Sequence, residues 1–264
     1  MKDNSLPIAV FDSGIGGVSV LKELISVLPN ENFIYFGDTA NAPYGVKSVE
    51  QVRELTFSVY ERMKKEGIKA FVIACNTATS AAVAALREKY PNDIIIGVEP
   101  ALKPAVKCRE HPTVAVLATP LTLKEEKFAL LLDRFEGEAR VIPFACPGLV
   151  EFVERGEVSG EKLHEFLDNL LAPLKQEKLD AIVLGCTHYP FVKAEFTRIL
   201  GENIKVFDGS MGTAQNTHRR LEENGLLNPL DEKGSVIFID SSYPNERNSS
   251  KSMLVNFGGE YLCS

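Results

Sequence analysis

The chain has 264 residues, 45% of them hydrophobic, with a net charge of −7 and a pI near 5.3. At about 150 residues per domain this is roughly 1.8 domains, enough for a sizeable core. The acidic balance argues against nucleic acid as a main partner, because phosphate binding asks for a basic surface, and no run of about 18 apolar residues is present to span a membrane.

The opening stretch, MKDNSLPIAVFDSG, lacks the apolar segment and cleavage site of a signal peptide, so the expected location is the cytoplasm. Its apolar run IAVF (8–11) breaks at Asp12-Ser13-Gly14 and resumes as an amphipathic helical pattern. The loop Gly14-Ile15-Gly16-Gly17-Val18-Ser19 lacks the third glycine of a dinucleotide fingerprint and the Lys-Ser/Thr of a phosphate loop. Its glycines read as a tight strand-to-helix turn. Asp12 at the mouth repels phosphate but suits a ligand that carries an ammonium beside carboxylates.

The run FIYF (33–36) ends at Gly37-Asp38-Thr39, and Pro43-Tyr44-Gly45 forms a rigid turn just beyond. Asp38 reads as a helix cap or a supporting residue. A helix follows, with Val49, Val52, Leu55, Val59, Tyr60 and Met63 on one face and Gly67 as its stop. The charges of Lys64, Lys65 and Glu66 read as a solvated face. AFVIA (70–74) runs into Cys75-Asn76-Thr77. IIIGV (94–98) and VAVLA (114–118) follow, the latter leading to Thr119 and Thr122. RVIPF (140–144), AIVLG (181–185), IKVF (204–207) and VIFI (236–239) complete the set, and AIVLG runs into Cys186-Thr187-His188. Residues 241–251, SSYPNERNSSK, read as a mobile surface loop. These runs are continuous rather than alternating, as expected of strands covered on both faces. Alternation with helices predicts an α/β fold with mainly parallel sheets.

None of Cys75, Cys108, Cys146, Cys186 and Cys263 forms a C-x-x-C pair, so they read as free thiols. Cys108, Cys146 and Cys263 read as inert small hydrophobes. Cys75 and Cys186 differ. The segments KAFVIACNTAT and LDAIVLGCTHY share one layout, an apolar run, a small residue, a cysteine and then hydroxyl-bearing residues, which suggests one such cysteine per domain. Ligands of doubly wound sheets bind beyond the carboxyl ends of the strands, where both cysteines fall. A helix N-terminus lowers a thiol pKa from about 8.5 by favouring the thiolate.

Two thiols facing each other across a cleft suit transfer of a proton from one face of a carbon to the other. One thiolate removes the α-hydrogen of an amino acid and the opposite thiol returns a proton. Without a cofactor to spread the charge, preorganised dipoles must stabilise the carbanion. The strand-end clusters contain no Lys or Arg, so a bound carboxylate would be held by backbone N–H groups and by Ser13, Asn76, Thr77, Thr119 and Thr187. Asp12 would meet the ammonium or steady the proton partner of the nearby thiolate.

FDSGIGG, GDTANAPYG, ACNTATS, VEPALKPA and LGCTHYP, in this order from residue 8 to about 227, resemble the motifs of the glutamate racemases of the aspartate/glutamate racemase superfamily. The resemblance implies two similar α/β domains, each a mainly parallel sheet flanked by helices, with the active site in the cleft between them. It implies domain boundaries at 1–98 with 209–264, and 99–208. It further implies interconversion of L- and D-glutamate without pyridoxal phosphate or metal, supply of D-glutamate for peptidoglycan, and a homodimer. The catalytic cysteines fall on Cys75 and Cys186, assisted by Asp12 and His188, and Glu154 matches the glutamate that follows the family's C-P stretch. Substrate-binding positions fall on Asp12, Ser13, Tyr44, Gly45, Asn76, Thr77, Thr119, Thr122, Thr187 and His188. Nothing is carried over beyond about residue 228.

Three other readings compete. A cysteine hydrolase with His188 as base leaves one thiol without a task. A zinc site from Cys75, Cys186 and His188 needs a further ligand such as Asp38. A binding protein needs neither thiol. Within the superfamily, an aspartate racemase shares the paired cysteines, while the P-Y-G turn and C-T-H-Y-P favour glutamate.

Overall fold

The computed structural model describes residues 4–243. Cys263 and most of the 241–251 segment lie outside that range. Among the described residues the chain divides into two compact units. One runs to Glu99 and resumes at Ser210; the other spans Pro100–Gly209.

The first unit is built on a five-stranded, wholly parallel sheet. Its strands are β1 (Ile8–Asp12), β2 (Phe33–Gly37), β3 (Ala70–Ile73), β4 (Ile94–Gly97) and β9 (Val236–Asp240), in the order β4-β3-β1-β2-β9. β1 to β3 are buried along their whole length, which is why each reads as an unbroken apolar run. Phe11 stacks on Phe71 with ring centroids 5.9 Å apart, and Tyr60 meets Phe71 edge-on at 5.2 Å. Each fully buried ring of this kind stabilises the unit by about 1.5–3 kcal/mol.

The helix Val49–Glu66 begins in a capping box: Ser48 accepts from the Gln51 N–H while the Gln51 side chain accepts from the Ser48 N–H. It ends at Gly67, whose φ of +77° is open to glycine and costly for other residues. The Lys64 charge is more than a solvated face. It pairs with Asp93 at 2.6 Å and lies over the Tyr90 ring at 4.6 Å.

The second unit carries a four-stranded parallel sheet of β5 (Thr113–Ala118), β6 (Arg140–Ala145), β7 (Ala181–Gly185) and β8 (Lys205–Asp208), ordered β6-β5-β7-β8. Leu102, Val106, Val114, Val116, Phe128 and Val183 form its core. Two of its strands depart from the expectation of full cover. β6 and β8 are the edges and are only half-buried to exposed. Pro143 sits in β6, where an edge strand tolerates the lost N–H.

Candidate active site

Each sheet ends in a cysteine, and the two cysteines stand in different surroundings. In the first unit Cys75 follows β3 and caps the helix Asn76–Lys89. Its Sγ accepts from the Ala78 N–H at 3.4 Å, and its thiol donates to the Ser13 hydroxyl at 3.6 Å. The side chain is 5% exposed. A sulfur at this place meets unsatisfied helix N–H groups and the positive end of the dipole, and both favour the thiolate.

Asp12 closes β1 and is fully buried, with Oδ2 accepting from the Gly14 N–H at 3.0 Å. The glycine turn lets the chain fold tightly over it. A Cβ on Gly17 would fall 2.5 Å from the Asp12 Cβ and 3.1 Å from that of Ala74. The turn is locked by the Tyr35 hydroxyl, which donates to the Gly14 carbonyl at 2.7 Å. The glycines thus serve packing around Asp12, as the turn reading expects.

Tyr44 is buried, and its hydroxyl donates to Asp38 Oδ2 at 2.6 Å. Burial pushes the phenol pKa up, and the charges of Asp38, Cys75 and Asp12 push it in the same direction, so Tyr44 is a fixed donor. Asp38 also accepts both contacts of the Asn41 amide, at 3.0 and 3.1 Å. It stands at the N-cap of the 3₁₀ turn Thr39–Asn41 without a side-chain cap bond, and its carboxylate anchors the Tyr44 loop. Gly45 lies in the 3₁₀ turn Tyr44–Val46. Asn76 and Thr77 open the helix behind Cys75 and are buried. Asn76 Oδ1 is a buried acceptor with no protein donor, a state that native structures usually resolve with a ligand or water.

In the second unit Cys186 follows β7 and is 7% exposed. Here the expectation of a helix N-terminus fails. Pro190 opens a short 3₁₀ turn, Tyr189–Val192, and no α-helix begins at the thiol. The thiol is served by an imidazole. His188 Nδ1 lies 3.8 Å from Cys186 Sγ and 3.5 Å from the Thr187 hydroxyl, and Nε2 lies 2.5 Å from Glu154 Oε1. Burial alone would favour the neutral ring. The hydrogen bonds to Cys186 and Glu154 and their charges outweigh it and hold the His188 pKa well above its ordinary value.

Glu154 ends the helix Leu149–Glu154, which starts at Gly148. Gly148 has a φ of +83° with the Phe166 ring 3.3 Å from where a Cβ would stand, so the turn that aims this helix needs glycine. Thr119, after β5, caps the helix Pro120–Lys124 and accepts from the Thr122 N–H at 3.3 Å. The two hydroxyls are 2.9 Å apart, and both residues are buried.

Cys146 follows β6 and is buried, and burial pushes its thiol pKa up. Cys108 is half-buried. Among the described residues, no cluster of three or more His, Cys, Asp or Glu side chains is arranged to hold a metal ion. The Glu154–His188 contact joins residues 34 positions apart, a spacing no local pattern reveals.

Two parallel α/β units each place a buried cysteine just beyond the end of an interior strand. The family described as Asp/Glu/Hydantoin racemase matches residues 10–215. The chain is 49% identical over 246 residues to a glutamate racemase of Clostridium novyi, covering 93% of this chain and 95% of that protein. To a glutamate racemase of Clostridium acetobutylicum it is 51% identical over 235 residues, covering 89% and 91%. The crystal structure of the Francisella tularensis glutamate racemase in complex with D-glutamate superposes with a TM-score of 0.82 at 32% identity, covering 96% of this chain and 94% of that one. The chain belongs to the Asp/Glu/Hydantoin racemase family.

Proposed function

We propose that this protein interconverts L- and D-glutamate with Cys75 and Cys186 as a pair of acid–base groups, supplying D-glutamate for peptidoglycan. The observation that carries the reading is the doubled strand-end thiol, one capping a helix and the other beside an imidazole. A hydrolase or a binding protein has no use for the second.

The chemistry follows from the partners. In one direction the Cys75 thiolate, favoured by the Ala78 N–H and the helix dipole, takes the α-hydrogen. Cys186 then gives its proton to the opposite face of the carbon, and the protonated ring of His188, balanced by Glu154, stabilises the thiolate left behind. In the other direction the roles exchange, with Asp12 assisting at Cys75. Asn76 Oδ1 accepts from the substrate ammonium. The hydroxyls of Ser13, Thr77, Thr119, Thr122 and Thr187, with the Tyr44 and Gly45 backbone and nearby N–H groups, hold the carboxylates. Preorganised dipoles of this kind are the means by which a site without a cofactor stabilises a carbanion.

Circular dichroism tests the reading. Either enantiomer of glutamate, incubated with the protein and no added cofactor, should lose its signal, and in deuterium oxide the α-carbon should gain deuterium. Aspartate turning over faster than glutamate, or exchange without loss of signal, would overturn it. The same reading places the enzyme in the cytoplasm as a homodimer, in keeping with the family resemblance; sedimentation at micromolar concentration checks the dimer.

A further inference from the structure

We propose that Asp240, at the end of β9, is a positioning residue for the loop that carries Tyr44. The proposal rests on the reading of Tyr44 as a substrate-binding residue of glutamate racemisation.

The loop leaves β2 at Gly37 and reaches Tyr44 through a short 3₁₀ turn, Thr39–Asn41. Its own backbone satisfies part of the turn: the Asn41 N–H donates to the Asp38 carbonyl and the Ala42 N–H to that of Thr39. The Ala40 N–H is instead taken by the Ser241 hydroxyl at 2.9 Å. The Thr39 hydroxyl donates to Asp240 Oδ1, and the Ser242 hydroxyl lies 2.8 Å from the same Thr39 oxygen. Asp240 Oδ1 also accepts from the Ser242 N–H at 2.8 Å, which curls 240–242 back over the loop.

The sheet would stand without these side-chain contacts. β9 pairs with β2 through the backbone, with Gly37 opposite Asp240, and the Ser241 N–H donates to the Gly37 carbonyl at 3.0 Å. The Asp240 carboxylate adds nothing to that ladder. It is 4% exposed and is directed at Thr39 and at its own turn. Two carboxylates therefore divide one task. Asp38 ties Tyr44 to the loop, and Asp240 ties the loop to the sheet. Without the second tie, the phenol stays bonded to Asp38 while the whole turn loses its register over the strand ends.

Both bonds to Asp240 fall on Oδ1, so an asparagine keeps the acceptor and an alanine does not. The test compares wild type, Asp240→Ala, Asp240→Asn and Thr39→Val, the last removing the donor in case Asp240→Ala does not fold. In the glutamate assay, Asp240→Ala and Thr39→Val should raise KM roughly fivefold with kcat within about twofold, while Asp240→Asn stays within about twofold of wild type in both. Amide exchange gives a readout independent of activity: the Ala40 N–H should exchange at least about fivefold faster in Asp240→Ala and Thr39→Val. Unchanged Ala40 exchange, unchanged KM, or equal impairment of the asparagine and alanine variants would overturn the positioning role. A wild-type protein inert towards glutamate would overturn the racemase reading and leave the exchange result to decide the tie.

Discussion

Cys75 and Cys186 occupy the same place in two parallel sheets, yet their charge would be stabilised by different physics. Cys75 leans on backbone: a 14-residue helix starts at it and offers an N–H directly to sulfur. Cys186 has only a 3₁₀ turn ahead of it and leans on a side-chain relay of His188 and Glu154. A backbone dipole does not titrate, whereas an imidazole does. If the two sulfurs share the proposed task, mutation of their supports should therefore affect them differently.

The largest effect should come from removing either sulfur. Cys75→Ser and Cys186→Ser should each lower racemisation by at least about 10³-fold, the scale of a lost acid–base group. In deuterium oxide each variant should still label one enantiomer, and the two variants should label opposite ones. Labelling of both enantiomers by either variant would break the pairing.

A smaller, one-sided effect should follow from Glu154→Gln, at about 10- to 100-fold in kcat. The native fold raises the His188 pKa, so the protonated ring stabilises the protein fully below about 6.5, its unfolded value, and this contribution fades as pH climbs through the raised native value. Glu154→Gln removes one of the groups that raise it. The alkaline limb of the kcat profile should then move to lower pH, and the melting temperature should lose part of its pH dependence. A profile identical to wild type would show that the relay does not serve Cys186.

The smallest effect on turnover should come from the far end of the first sheet. Lys69 is buried against Glu31, and its Nζ donates to the Asn4 carbonyl at 2.5 Å. Lys69→Met should leave kcat near wild type while costing about 3–5 kcal/mol of stability by stranding a buried carboxylate. Thermal melts and the glutamate assay on the same sample separate the two.

Most of the architecture was legible because parallel strands are buried on both faces and write themselves as apolar runs; all nine runs are strands. The edges were not legible, since Arg140 and Lys205 begin strands whose apolar cores look no different from those of interior ones. The motif residues mark both strand ends, because polar residues after an apolar run are conspicuous. What serves them was harder to see. The absence of a helix behind Cys186 was signalled only by Pro190. The joining of Glu154 to His188 and of Asp240 to Thr39 depends on packing between distant segments, which leaves no period in the chain.

The rim of β6 carries a last consequence. A bare strand border is a template on which a second polypeptide can add itself. Here the template is spoiled at its centre by Pro143, which has no donor to offer, and at its start by Arg140, whose guanidinium is drawn away to Glu177 at 2.5 Å. That margin of the second sheet is thus a poor template for an added strand.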